Sequence, residues 1–216
     1  MKSIMGMTYP GRVSYMSSGQ AVVERLRPLG PVFRAREAVG AGISWRDLYG
    51  ARDTGLVIEL SRGLYQLRES AGLDQIDFVA VCARAPRGMI CLRSALAYWD
   101  LSDEIPDRVD LAVPSGTHRP RIDHPPTCVH VFLATSFDLG KIRVEDRHGV
   151  GFAVTDIERT VVDCFRARHQ VGDDLAVGGL RRYLRTLGAK PARVLELASS
   201  LRVRTPVLQA LRILQE

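Results

Sequence analysis

Apolar positions recur at helical spacing from Ser17 or Ser18 onward: Val22, Leu26 and Leu29 share one face, Glu24, Arg25 and Arg27 lie on others, and Gly30-Pro31 ends the run. Phe33 through Gly40 predicts a short second helix with Phe33 and Ala38 or Val39 turned inward, followed by a tight turn at Ala41-Gly42-Ile43. Ser44 is a natural N-cap for a third helix. Its Leu48 faces back to the core, and Ser44, Arg46, Tyr49 and Arg52 are left on accessible faces. The period then drops to two: Leu56 to Leu60 reads as a strand, Ser61-Arg62-Gly63 as a hairpin turn and Leu64 to Leu67 as the return strand. Three short helices followed by a hairpin is the order of a winged helix-turn-helix.

Beyond residue 70 the pattern describes a second unit. Two helices, Asp74 to Arg84 and Cys91 to Asp100, read as a bridge. Four strands follow, with Val109, Leu111 and Val113 alternating in the first, Val129, Val131 and Leu133 in the second, then Ile142 to Val144 and Val150 to Val154. Thr155-Asp156-Ile157-Glu158 has the form of a capping box that opens a helix with Ile157, Val161, Cys164 and Phe165 inward. Further helices are expected over about 174–187, from Pro191, and from Pro206 after a cap at Thr205. The fold class is therefore α+β: a winged helix-turn-helix over 17–70, then a C-terminal domain with a small, mainly antiparallel sheet and several helices over 71–216 (bridge 71–105, sheet 106–154, helices 155–216). Residues 1–16 lack periodicity and read as a flexible arm carrying Met1, Met5, Met7 and Met16 as alternative starts.

Charge changes this picture at the two ends. The formal net charge is +6, but residues 1–70 hold ten basic and six acidic residues, the middle to 154 holds nine and eleven, and the rest eleven and seven. Phosphate binding needs that kind of local excess. Only Lys2, Lys141 and Lys190 are lysine, an arginine bias that a GC-rich genome also produces, and asparagine is absent, which removes one usual reader of adenine. In a winged helix the third helix enters the major groove and the wing meets flanking backbone. The candidates for DNA contact are accordingly Arg34 and Arg36 from the second helix, Ser44, Arg46 and Arg52 from the third, and Arg62 at the wing tip. Trp45 and Tyr49 are read as packing residues rather than base readers. A possible second basic surface is Arg181, Arg182 and Arg185, joined by Arg193, Arg202 and Arg204.

Standard catalytic signatures are silent: there is no phosphate loop ending in Lys-Ser/Thr, no dinucleotide fingerprint, no His-Glu-x-x-His and no Gly-x-Ser-x-Gly. No catalytic residue, cofactor or metal is assigned. Cys82, Cys91, Cys128 and Cys164 have no paired spacing and form no ligand pattern with the histidines, so they read as reduced, mostly buried thiols without structural zinc. The loop 114–121, with Ser115, Thr117, His118, Arg119 and Arg121, has groups able to hold phosphate, and either this loop or the acidic Glu145 and Asp146 could serve phosphate or nucleotide transfer. Asp163, between Arg159 and Arg166, reads as an ion-paired structural residue. No run of eighteen apolar residues or signal-like apolar start is present, so a cytoplasmic location is expected.

Arg62-Gly63-Leu64-Tyr65 at the wing, Val109-Asp110-Leu111-Ala112-Val113-Pro114, and Asp156-Ile157-Glu158-Arg159-Thr160-Val161-Val162-Asp163 together resemble the AbiEi family of bacterial abortive-infection antitoxins, over roughly residues 18–216. The resemblance implies an antitoxin and transcriptional repressor of a type IV toxin-antitoxin pair. Its winged helix would bind operator DNA at inverted repeats, and its C-terminal domain would neutralise a nucleotidyltransferase toxin. By matching position, it implies the same DNA-contacting set. Neutralisation by an atypical phosphotransferase activity on the toxin and a ligand-responsive repressor are the competing expectations.

Overall fold

The structure, a computed structural model, describes residues 18–70, 75–122, 124–145 and 151–215. The expected N-terminal arm and Asp146 lie outside them. The first unit is built from α1 (Ser18–Leu26), β1 (Val32–Arg34), α2 (Ala35–Gly40), α3 (Trp45–Asp53), β2 (Val57–Ser61) and β3 (Leu64–Leu67), with a short 3-10 turn over Arg27–Leu29. The three strands form an antiparallel sheet in the order β1-β3-β2. Leu26, Phe33, Ala38, Ile43, Leu48 and Tyr65 close a core between the helices and this sheet. A winged helix-turn-helix is therefore what the first unit forms.

One expectation here is corrected. Phe33 is buried, but from strand β1 rather than from a helix, and α2 begins only at Ala35. The backbone of Phe33 is opposite Tyr65 of β3, and the two rings stack at 6.1 Å. A strand of three residues is too short to show a period, while the helix that follows it at once supplied one.

The second unit contains α4 (Ile76–Arg84), β4 (Met89–Ile90), α5 (Leu92–Tyr98), β5 (Val109–Pro114), β6 (Thr127–Phe132), β7 (Lys141–Glu145), β8 (Gly151–Thr155) and the helices α6 (Ile157–Arg166), α7 (Arg168–Val171), α8 (Asp173–Leu184), α9 (Pro191–Ser200) and α10 (Arg204–Gln215). Its five strands run in the order β6-β5-β4-β8-β7. The α+β class holds, but the sheet is mixed: β4–β5 and β7–β8 pair antiparallel, β4–β8 and β5–β6 parallel. The two-residue β4 stands at its centre, fully buried.

Alternation along the strands gives this sheet two apolar faces. Val109, Leu111, Val113, Val129 and Val154 pack with Val79 and Val81 of α4 on one side. Met89, Ala112 and Phe132 face α5, α6, α8, α9 and α10 on the other, the larger core. Helix α4 packs in the smaller core and α5 in both, Leu92 and Leu96 in the larger and Ala95 on the α4 side, so the expected bridge also takes part in the second unit's own packing. Helix limits also move: α6 is capped by Asp156, whose carboxylate accepts from Arg159 N at 2.6 Å, while Thr155 is buried with its hydroxyl 2.7 Å from that of Thr160. Helix α8 stops at Leu184, short of the expected 187, so Leu187 lies beyond it and is fully exposed, and α10 starts at Arg204, ahead of the expected cap.

The two units touch through named contacts. Arg34 Nη2 donates to the Ala83 carbonyl, and Arg84 Nη1 donates to the Arg62 carbonyl at 2.7 Å. Val32 packs against the α4 side of the second core. The winged helix is thereby seated on α4.

Candidate nucleic-acid interface

Helix α3 is placed by two opposed faces. Leu48 and Ala51 are buried in the first core, which turns Trp45, Arg46 and Tyr49 outward. Its N-terminus is fixed by Ser44, whose Oγ accepts from Asp47 N at 3.1 Å and donates to the Asp47 carboxylate at 2.7 Å. The cap is as expected. Its hydroxyl is consequently engaged within the protein, as a capping side chain's must be to satisfy the helix's free N–H groups.

The six expected contact residues separate into two groups. Arg36 in the first turn of α2, Arg46 in the first turn of α3 and Arg62 at the wing are exposed, and no side-chain partner occupies any of them among the described residues. Gly63 shapes the wing: its φ is +73°, in the left-handed region, and its N–H donates to Glu59 Oε1 at 3.2 Å. Arg52, by contrast, is held by Asp53 at 3.0 Å and Glu59 at 3.4 Å, with its guanidinium 4.8 Å above the Tyr49 ring. The hydrogen bond that it donates to Asp53 leads the interactions that raise its pKa. Arg34 is half-buried, and its Nη2 donates to the Ala83 carbonyl, which ties the two units together.

Trp45 and Tyr49 do pack, but on each other rather than in the core. They are 49% and 41% exposed, with ring centroids 5.7 Å apart. The outward surface of α3 is thus an aromatic pair flanked by one free arginine. Spacing carried the signal: 45 and 49 are one helical turn apart and fall off the face that holds 48 and 51. Such rings offer apolar contact to thymine methyl groups in a major groove.

Elsewhere the candidate chemistry is mostly used up inside the fold. In the 114–121 loop, Thr117 Oγ1 donates to the Pro114 carbonyl at 2.6 Å, Ser115 Oγ accepts from Ala134 N at 3.0 Å, and Arg119 donates to the Val129 carbonyl. Glu145 accepts from Arg143 at 2.6 Å. Arg159, Asp163 and Arg166 form the buried ion-paired set expected of them: Arg159 Nε is 2.7 Å from Asp163 Oδ2 and Arg166 Nη2 3.3 Å from Oδ1. Burial pushes the Asp163 carboxyl up despite both guanidinium groups. In the second basic set Arg182 pairs with Asp103 and Arg193 with Glu196, leaving Arg181 and Arg185 exposed one turn apart, with Arg202 and Arg204 also exposed.

The fold has a solved counterpart. A crystal structure of the RV2827C protein from Mycobacterium tuberculosis matches with a TM-score of 0.58 at 14% identity, over 89% of this chain and 76% of that one. At this identity the match shows likeness of fold alone. Comparison of the sequence with protein-family models and with curated proteins found no match.

The expectation that no histidine joins a cysteine in a ligand pattern is corrected by strand pairing. Asp110 on β5 is opposite Cys128 on β6, and His130 is two residues further along β6 on the same face. His130 Nε2 lies 2.7 Å from Asp110 Oδ1, and one ligand atom from each of the three residues falls within 4.8 Å of the others. Among the described residues no other cysteine belongs to such a three-residue group: Cys91 and Cys164 are buried and Cys82 is half-buried, and burial pushes all three thiols up, that of Cys82 to about 11.

Proposed function

We propose that this chain is a DNA-binding antitoxin, which represses its own operon through the winged helix and neutralises a nucleotidyltransferase toxin through the second unit. The observation that supports DNA binding is the set of exposed Arg36, Arg46 and Arg62, one each on α2, α3 and the wing, whose side chains have no partner among the described residues. A winged helix engages DNA with those same three elements, the third helix in the major groove and the wing on the backbone. Exposed Trp45 and Tyr49 add apolar contact surface beside Arg46. The antitoxin role is supported by the resemblance of the wing, the β5 segment and the α6 opening to AbiEi antitoxins. The protein would act in the cytoplasm, where the operator and the toxin are found. No helix among the described residues is long and apolar enough to cross a membrane.

Operator DNA containing inverted repeats is the first partner and the toxin the second, reached by contact or indirectly. Titrating the DNA upstream of the gene with the full chain should give specific binding whose affinity falls steeply with salt, because each neutralised phosphate contributes a slope of about 0.9 in log affinity against log salt. Co-expression with the neighbouring gene should restore growth that the neighbour alone arrests. Binding that is indifferent to salt, or to charge reversal at Arg46, would remove the repressor half of the reading. Absence of toxicity in the neighbour would remove the antitoxin half and leave a repressor.

A further inference from the structure

We propose that Asp110, Cys128 and His130 form a site for a zinc-class divalent cation on the helix-covered face of the second sheet. All three side chains come from rigid, hydrogen-bonded strands: the β5–β6 pairing runs without a break from Val109 opposite Thr127 to Pro114 opposite Phe132. Their placement is therefore a property of the sheet rather than of a mobile loop. A carboxylate, an imidazole and a thiolate together select zinc or cobalt over calcium or magnesium, which take oxygen ligands alone.

The distances bracket those a metal needs. Tetrahedral bonds of roughly 2.0–2.1 Å to nitrogen and oxygen and roughly 2.3 Å to sulfur put the imidazole nitrogen and carboxylate oxygen about 3.3 Å apart and the sulfur about 3.6 Å from either. Here the nitrogen and oxygen are at 2.7 Å and the whole set lies within 4.8 Å. Without a cation, an N–H···O hydrogen bond between His130 and Asp110 holds the short contact. With the cation bound, Nε2 and Oδ1 each bind the ion instead of each other, the imidazole carries its proton on Nδ1, the pair opens by about half an ångström, the sulfur is drawn in, and the thiol proton leaves to solvent.

Charge favours the exchange. The Asp110 side chain is 3% exposed and the His130 side chain 12% exposed, so this carboxyl is largely removed from water, with an imidazole as its side-chain partner. One carboxylate and one thiolate neutralise a divalent cation, which suits a half-buried place better than an isolated charge. Access is open from one side. Cys128 and His130 line a cleft of about 510 Å³ that also reaches Arg119, Arg166 and His169. Three protein ligands with a fourth position toward solvent is the pattern of a zinc site that keeps an exchangeable ligand.

The test is to titrate the full chain, freed of metal by chelator and kept reduced, with cobalt chloride and then zinc chloride. One cobalt per chain should give a near-ultraviolet thiolate-to-cobalt charge-transfer band, and one zinc should abolish it. Cys128→Ser should lose the band with an unchanged circular dichroism spectrum, whereas Cys82→Ser should keep it. His130→Asn should weaken cobalt binding by more than the roughly 10–100-fold that loss of a residue supporting a metal ligand costs. A second measurement needs no variant: zinc should protect Cys128 from alkylation in the wild-type chain, read peptide by peptide. A wild-type chain with no band, a band that survives Cys128→Ser, or alkylation of Cys128 indifferent to zinc would each overturn the site and leave a hydrogen-bonded aspartate–histidine pair.

Discussion

Helices α3 and α6 open alike and end in opposite worlds. Each has a short polar N-cap whose oxygen accepts from a backbone N–H, Ser44 for α3 and Asp156 for α6, and each carries an arginine in its first turn, Arg46 and Arg159. Yet Arg46 is exposed with no side-chain partner among the described residues, while Arg159 is among the largest fully buried side chains. Local chemistry does not decide between them. What decides is the surface each helix is laid against: α3 has one buried face and solvent on the other, whereas α6 is packed among α5, α8, α9 and α10 in the larger core. Arg159 is accommodated because Asp163 one turn on, the carbonyls of Ser136 and Leu139 and the Phe132 ring at 5.8 Å surround its guanidinium. One arginine holds the fold together. The other is left free to meet something else.

The largest effect should come from breaking the buried half of this contrast. Asp163→Asn removes the carboxylate between Arg159 and Arg166 and strands a guanidinium in the core, which should cost about 3–5 kcal/mol in urea unfolding. Arg46→Ala should barely move that curve, since surface changes away from caps and cores stay within about 0.5 kcal/mol. Equal losses from the two substitutions would refute the distinction.

That distinction was only half legible in the chain. The ion-paired role of Asp163 could be read from the arginines three and four residues away, because charges at those spacings share a helix face. The inward turn of Arg34 could not, because its partner Ala83 is 49 residues distant and belongs to another unit. Strands with several alternating residues, β5, β6 and β8, were visible, whereas β1 and the central β4 were hidden by having three and two residues. The parallel pairing of β5 with β6 was also invisible, since register between strands separated by a loop is set by the whole sheet. The cluster of Asp110, Cys128 and His130 escaped for the same reason: only that register brings 110 beside 128 and 130.

The exposed half of the contrast is sharpened on DNA. Arg46→Ala should weaken specific binding to the upstream DNA by about 1–3 kcal/mol for a base contact, or lower the salt slope by about 1 for a phosphate contact, measured by anisotropy across a salt series. Arg52→Ala should cost less, because Asp53 and Glu59 already occupy its guanidinium. A larger loss from Arg52 than from Arg46 would reverse the assignment of free and engaged arginines on α3.

A smaller effect should separate the helical side of the second unit from the first. The Tyr183 hydroxyl donates to Glu158 at 3.0 Å and accepts from Lys190 N at 2.6 Å, joining α6, α8 and the start of α9. Its ring is 1% exposed, and burial pushes the phenol from its usual 10 up to about 12. The folded chain therefore holds this proton more tightly than the unfolded chain, so the associated stability is complete below pH 10 and lost as pH rises toward 12. Tyr183→Phe should cost about 1–2 kcal/mol at neutral pH through the lost hydrogen bonds. It should also remove this residue's share of the alkaline decline in unfolding free energy, whereas Tyr49→Phe, in the first unit, should leave that decline in place.

The finest test concerns Ser44, where a cap and a DNA contact make different demands on one hydroxyl. As a cap, Ser44 satisfies the Asp47 N–H, so Ser44→Ala should destabilise the first unit by about 1 kcal/mol, while Ser44→Gly should cost only a few tenths because glycine leaves that N–H open to water. As a DNA contact, the hydroxyl is lost equally in both variants, and their affinities for the upstream DNA should fall together. The engaged geometry of Ser44 predicts the first pattern: stability separates alanine from glycine, and affinity measured well below the unfolding transition changes little in either. Equal stabilities with equally weakened binding would instead mean that the hydroxyl leaves Asp47 when DNA arrives, placing Ser44 beside Arg46 at the interface.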